Sequence, residues 1–190
     1  MFDAIAPFYD LAVERTVGRW VHQAADLLDN VSGWQVVDLC TGTGIMAREL
    51  VRRGARVTGV DISRSMLARA RKKCPGAVFQ VMDIMEMRFP GPFDAATISM
   101  ALHGLPPAGA ARVLWQLQDW CRGPLLALDW ARRPESRLGR WLLELVETGE
   151  GSHYQEYMKW GPERLFAEGG WKVTRKKELG TLVDAWLLEP

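Results

Sequence analysis

The sequence predicts an α/β fold built on a doubly wound, mostly parallel seven-stranded sheet, on three observations. Short apolar runs alternate with amphipathic helical stretches, the pattern of a parallel sheet covered by helices on both faces. A Gly-x-Gly loop follows the first such run and precedes a helical segment. Two β-like runs around Gly180 close the chain as a hairpin, which turns one strand antiparallel. At 190 residues the chain fits a single domain, 1–190.

The first element is a helix over 17–28, where Val17, Trp20, Val21, Ala24, Leu27 and Leu28 share one face. Trp34–Leu39 reads as a strand, and Ile45 to Arg53 as a helix. Ala55–Val60 is the second strand. Ser63 is placed to cap the next helix, which carries Met66, Leu67 and Ala70 and stops at Pro75-Gly76. Ala77–Met82 and Phe93–Met100 are strands. Pro106 to Cys121 is a helix with Val113, Leu114, Leu117 and Trp120 on one face. Leu125–Asp129 is the fifth strand, followed by helices at Arg137–Val146 and Pro162–Glu168. Trp171–Leu179 and Thr181–Leu188 form the hairpin. The order is thus a helix, five βα units and a hairpin, with six strands parallel. Residues 1–30 are expected to cap the site and 130–168 to form a substrate-side insertion. In such a sheet ligands bind beyond the carboxyl ends of the strands.

Composition narrows the function. Twenty-four Lys+Arg against 23 Asp+Glu leave a net charge of +1, which gives no global attraction for nucleic acid, so none is expected as a partner. The basic runs Arg69-x-Arg71-Lys72-Lys73 and Arg175-Lys176-Lys177 read as solvated faces. Cys40, Cys74 and Cys121 form no CxxC pair, so neither a disulfide framework nor a metal site is indicated. Met1-Phe2-Asp3-Ala4 lacks the charge and apolar run of a signal peptide, and no apolar run reaches membrane-spanning length. A cytoplasmic protein is expected, and a homodimer is compatible with the sequence.

Asp38-Leu39-Cys40-Thr41-Gly42-Thr43-Gly44 joins the first strand to its helix. Glycines there let a ligand approach the backbone, and the helix N-terminus suits an anionic group. Gly42-x-Gly44-x-x-Ala47 also fits the Rossmann-type dinucleotide fingerprint. Asp61, at the end of the second strand, can accept both hydroxyls of a ribose. These features leave a nicotinamide-dependent oxidoreductase and an adenosine-sulfonium enzyme both open. Asp38 would repel a pyrophosphate and suit an ammonium. Asp83 closes the third strand, where an adenine edge can be read. The Tyr-x-x-x-Lys pair is missing, since Met158 follows Tyr154 and Gly161 follows Tyr157 at that spacing. Ammonium, carboxylate, ribose and adenine are the four groups of S-adenosylmethionine.

The chain resembles class I S-adenosylmethionine-dependent methyltransferases, most closely the menaquinone/ubiquinone-biosynthesis type and related small-molecule enzymes. Val36-Val37-Asp38-Leu39-Cys40-Thr41-Gly42-Thr43-Gly44 is similar to the first family motif. Gly59-Val60-Asp61-Ile62-Ser63 with Met66-Leu67 is similar to the second. Met82-Asp83-Ile84-Met85-Glu86 resembles the third, and Phe93 to His103 the fourth. Ala6-Pro7-Phe8-Tyr9-Asp10 is similar to the N-terminal segment. The resemblance implies a Rossmann-like sheet, S-adenosylmethionine as cofactor and a small-molecule acceptor methylated on carbon or oxygen. It implies cofactor contacts from Tyr9, Asp38, Cys40, Thr41, Gly42, Gly44, Asp61, Ile62, Met66, Asp83, Ile84 and Ser99, with Tyr9 as a lid. Two features depart from the family. Cys40 replaces its usual glycine, and Trp120-Cys121-Arg122-Gly123-Pro124 replaces its lysine-proline-glycine-glycine turn.

His103 follows the fourth strand, where the transferred methyl would lie, and a histidine suits base work near neutral pH. It is the candidate base or orienter. Asp129 closes the fifth strand and is a second candidate for the acceptor site. Gly151 to Tyr157 reads as a polar, aromatic loop between two helices, and its His153, Tyr154 and Tyr157 are expected at the acceptor wall. No Asn/Asp-Pro-Pro-Tyr sequence follows the fourth strand, so methylation of an exocyclic nitrogen is not indicated. A non-catalytic subunit that binds the cofactor for a partner enzyme is the other reading.

Overall fold

A computed structural model describes residues 15–134 and 153–190. Helix α1 covers 15–25 and ends in a 3-10 turn, Asp26–Leu28. There follow β1 (Gln35–Leu39), α2 (Ile45–Arg52), β2 (Arg56–Asp61), α3 (Arg64–Lys73), β3 (Val78–Val81), β4 (Ala95–Ser99), α4 (Pro107–Leu117) and β5 (Leu125–Trp130). The chain closes with α5 (Tyr154–Trp160), α6 (Pro162–Glu168), β6 (Lys172–Glu178) and β7 (Val183–Glu189). The strands lie in the order β3-β2-β1-β4-β5-β7-β6, and β7 alone runs against its neighbours. This is the expected doubly wound sheet of six parallel strands and one antiparallel strand.

The apolar runs work because a strand sends successive side chains to opposite faces. On β1, Val36 joins a core layer with Met46, Leu50 and Leu67 of α2 and α3. Val37 and Leu39 join the opposite layer with Val113, Leu114 and Leu117 of α4. Asp38 falls between them on the α2 side. Ser63 caps α3 as expected, its hydroxyl accepting the Met66 N–H at 3.3 Å. Pro107 and Pro162 open α4 and α6, where a missing N–H costs nothing.

Two sequence expectations change. The third βα unit has no α-helix; only a 3-10 turn, Ile84–Glu86, precedes β4, because Phe89 to Phe93 spends its length on Pro90-Gly91-Pro92. The segment read as a loop around Tyr154 and Tyr157 is helix α5, since those rings lie one turn apart and are both buried. The helix predicted at 137–146 lies outside the described residues, as does Tyr9. The unusual turn before β5 keeps a glycine for a packing reason: a Cβ on Gly123 would sit 2.1 Å from the Asp94 carbonyl oxygen.

Candidate active site

The strand order reverses between β1 and β4, and such a switch point opens a crevice at the carboxyl ends. A cavity of about 450 Å³ lies there, within the range of small-molecule sites. Asp38, Cys40, Thr41 and Gly42 line it from the end of β1, Asp61 and Ile62 from β2, and Ser99 and His103 from β4 and the turn after it. Val17 and Val21 of α1 line one side of it.

The loop after β1 is held from both sides. The Gly42 N–H donates to Asp61 Oδ2 at 2.8 Å, and the Ser63 N–H donates to Asp61 Oδ1 at 2.8 Å. Gly44 adopts φ +79°, and an added Cβ would lie 3.1 Å from Ala70 Cβ. Cys40 carries the same left-handed backbone, φ +52°, without being glycine. Burial pushes its thiol far up, with Asp61 and Asp38 adding to the effect, so it stays protonated and is no nucleophile.

Asp38 is buried and ties three elements together. It accepts the hydroxyls of Thr41 at 2.6 Å and Thr97 at 2.7 Å. The Ala47 amide at the start of α2 also favours its ionised form. Burial pushes its carboxyl up to about 6, against the pull of those donors.

His103 is 4% exposed, and it sits in the 3-10 turn Leu102–Gly104. Its Nδ1 lies 2.6 Å from Asp129 Oδ1. Asp129 is wholly buried and also accepts the N–H groups of Leu102 at 2.9 Å and Trp130 at 2.7 Å. The rings of Trp130, Tyr154 and Tyr157 stand edge-on around His103, with centroids 6.3–6.5 Å away. Tyr157 donates its hydroxyl to the Trp130 carbonyl at 3.0 Å, and burial pushes that phenol well above its usual range.

The domain model described as "Methyltransferase domain" matches residues 36–123, from β1 to the turn before β5. A demethylmenaquinone methyltransferase of Thermus thermophilus is 40% identical over 153 residues, 73% of this chain and 68% of that protein. The chain belongs to the S-adenosylmethionine-dependent methyltransferases. A ubiquinone/menaquinone biosynthesis C-methyltransferase of Desulfotalea psychrophila is 37% identical over 119 residues, 58% of this chain and 48% of that protein. The chain thus spans about two thirds of the Thermus protein and about half of the Desulfotalea one. Among solved structures, magnesium protoporphyrin IX methyltransferase of Synechocystis with bound SAH aligns at TM-score 0.73 and 20% identity, covering 99% of this chain and 93% of that one. The nicotinamide alternative falls away, and the methyltransferase takes S-adenosylmethionine as its cofactor.

The residues present fit that cofactor. Each oxygen of Asp61 spends one acceptor position on the backbone and keeps another. Ser99 Oγ is buried without a hydrogen-bond partner among the described residues, on a side chain that lines the cavity. Ile62 is 69% exposed at the mouth, an apolar surface a flat ring would cover.

Of the residues singled out in sequence, Asp38, Cys40, Thr41, Gly42, Asp61, Ile62, Met66, Ser99 and His103 line the cavity of this methyltransferase. Gly44 shapes the loop behind them. Asp83 is exposed and caps the turn after β3 through the Met85 N–H, and Ile84 packs in the core; neither lines the cavity. Asp129 is turned away from the cavity toward His103. Tyr154 and Tyr157 pack around His103, and the half-buried His153 pairs with Glu156 at 3.3 Å. Sequence reasoning missed Thr97 and Trp130. A threonine in the apolar strand Ala95-Ala96-Thr97-Ile98 was the available signal for the first. Trp130 had none, since a tryptophan at a strand end is ordinary packing material.

Proposed function

We propose that this methyltransferase acts on carbon or oxygen of a small organic acceptor of the quinol or phenol class, with His103 as the base. The observation that carries the proposal is His103 itself. It lines the cavity that holds the glycine loop and Asp61, and a buried carboxylate grips its far nitrogen. The aromatic rings around it exclude water and suit an aromatic acceptor. The quinone substrates in the names of the Thermus and Desulfotalea relatives support the same class.

When bound, S-adenosylmethionine supplies an electrophilic methyl group. Asp61 would take the ribose hydroxyls, Asp38 the ammonium and Ser99 a further polar group, while Ile62 and Met66 would offer apolar surface to the adenine. Asp83, outside the cavity lining, would have its second carboxylate oxygen to offer an adenine edge that reached past the mouth. Val17 and Val21, on the described part of the segment 1–30, would cover the cofactor. His103 withdraws the acceptor's proton and leaves its electron pair free to attack. That division of labour favours an enzyme over a cofactor-binding partner subunit. Three free cysteines support a reducing compartment, the cytoplasm.

The test is a transfer assay with methyl-labelled S-adenosylmethionine over small phenols, quinols and carboxylic acids, with RNA as control. Labelling of a phenol or quinol is expected. Labelling of RNA alone overturns the acceptor class.

A further inference from the structure

We propose that a second cavity, between the turn after β3 and α4, binds a phosphorylated polyol of the sugar-phosphate class, with Arg88 and Arg112 on the phosphate and Gln116 and Glu86 on the hydroxyls. None of its lining residues belongs to the methyltransferase cavity, so it is a separate site.

The fold makes room for it. The third βα connection carries only the 3-10 turn Ile84–Glu86 and continues through Met87 and Arg88. Met85 approaches α4 at Gly109, where an added Cβ would lie 3.4 Å from Met85 Cε. Met87 is buried in the core. Beside these two side chains a cavity of about 350 Å³ stays open, within the range of small-molecule sites. Arg112 and Gln116, four residues apart on α4, line it from the helix; Glu86 and Arg88 line it from the connection.

Its polar groups are not engaged by the protein. Gln116 Oε1 is buried and has no hydrogen-bond partner. Among the described residues no hydrogen bond or ion pair holds the guanidinium of Arg88 or Arg112, or the carboxylate of Glu86. By contrast Arg52, Arg53 and Arg175 pair with Glu49, Asp26 and Asp29. A buried acceptor without a donor is unfavourable, and a ligand hydroxyl would relieve it.

The chemistry of these groups selects the ligand. Each guanidinium presents paired N–H groups that match a phosphate bidentately. Two of them, on different elements, can use more oxygens than a carboxylate has; a phosphate monoester offers three, with a charge of about −2. Glu86 argues against a bare ion, since a carboxylate in the lining repels an anion and itself needs a donor. Gln116 Oε1 needs a donor as well. An anion that carries hydroxyl groups meets all four residues. Met85 and Met87 offer polarisable apolar surface to the carbon frame that joins those groups.

The experiment is NMR of the full chain labelled with 13C-methyl methionine, titrated at constant ionic strength with glucose 6-phosphate, inorganic phosphate or glucose. The chain has eight methionines, and Met85→Leu and Met87→Leu assign the two at this cavity. Met46, Met66 and Met100 line the methyltransferase cavity and report on it. With glucose 6-phosphate, saturable movement of the Met85 and Met87 signals is expected, with those three unmoved. Inorganic phosphate should bind about tenfold more weakly, and glucose alone should not bind. The double variant Arg88→Gln, Arg112→Gln should bind glucose 6-phosphate at least about tenfold more weakly. Gln116→Glu, which sets a further negative charge in the cavity, should do the same. Both arginines are exposed, so the double variant should keep the wild-type thermal midpoint and S-adenosylhomocysteine affinity. Met85 and Met87 signals that stay still, or that move equally in the double variant, overturn the site. Movement confined to Met46, Met66 and Met100 overturns it too, since the anion then sits at the glycine loop. Equal affinities for inorganic phosphate and glucose 6-phosphate overturn the sugar-phosphate assignment. None of these signals depends on methyl transfer, so this site and the acceptor class fail separately.

Discussion

Asp61, at the end of β2, accepts the backbone N–H of Gly42 at 2.8 Å, so the residue assigned to the ribose also sets the loop beneath it. Asp61→Ala removes both functions. Losing charge-assisted hydrogen bonds of this kind costs about 1.5–3 kcal/mol, so S-adenosylhomocysteine should bind roughly 10- to 150-fold more weakly by calorimetry. Unchanged affinity would remove Asp61 from the site.

Backbone conformation in the loops yields a pair of opposite outcomes. A non-glycine residue in the left-handed region costs about 1–2 kcal/mol. Gly44→Ala imposes that cost and crowds Ala70, so its thermal midpoint should fall by several degrees. Cys40→Gly relieves it, and a midpoint higher by about 2–4 °C is expected. A lower midpoint for Cys40→Gly would mean that thiol packing outweighs backbone strain.

Asp38 makes cofactor binding sensitive to pH. Burial raises its carboxyl to about 6, and an ammonium prefers the ionised form. Affinity for S-adenosylhomocysteine should be flat above neutrality and fall toward about tenfold per pH unit below pH 6. In stability the sign is opposite: the native state holds this proton more tightly than the unfolded chain. The burial cost is absent below about pH 4, grows as pH rises and is complete above about 6. Calorimetry at pH 5 and 7.5 checks the first effect, and Asp38→Asn should flatten the profile. A wild-type profile already flat would place the ammonium elsewhere.

The sheet was legible in the sequence because each strand is an apolar run between helices of clear period. The glycine loop and Asp61 were legible because their spacing carries their chemistry. What escaped was direction and partnership. A carboxylate at a strand end can face a ligand or a neighbouring turn, and nothing local to Asp129 tells which; the turn at Leu102 decides it, 27 residues away. Asp38 read as open to a ligand, but its hydroxyl partner Thr97 lies on a strand that only the fold brings alongside β1. Helix α5 was hidden by its length of seven residues and its polar lead, Gly151-Ser152-His153.

The described N-terminal helix is clamped to the domain by charge. Glu49 on α2 accepts from Arg52 and Arg53, at 2.7 Å each, and meets His22 of α1 at 3.0 Å. Burial alone would raise its carboxyl, but these partners outweigh it and hold it down to about 2. The contribution is therefore complete above the unfolded value of about 4.3 and is lost as pH falls through 2. Glu49→Gln should cost about 1–2 kcal/mol in urea unfolding at pH 7 and next to nothing at pH 2. Equal costs at both pH values would show that the clamp is not electrostatic.

The most direct measurement is single-turnover methyl transfer from labelled S-adenosylmethionine to a phenol or quinol acceptor, comparing wild type with His103→Ala. S-adenosylhomocysteine affinity is measured on the same two samples. A transfer rate lower by on the order of 10²–10⁴-fold, with cofactor affinity within about threefold, is the predicted result. A His103→Ala enzyme that transfers methyl at the wild-type rate would contradict the assignment of His103 as the base.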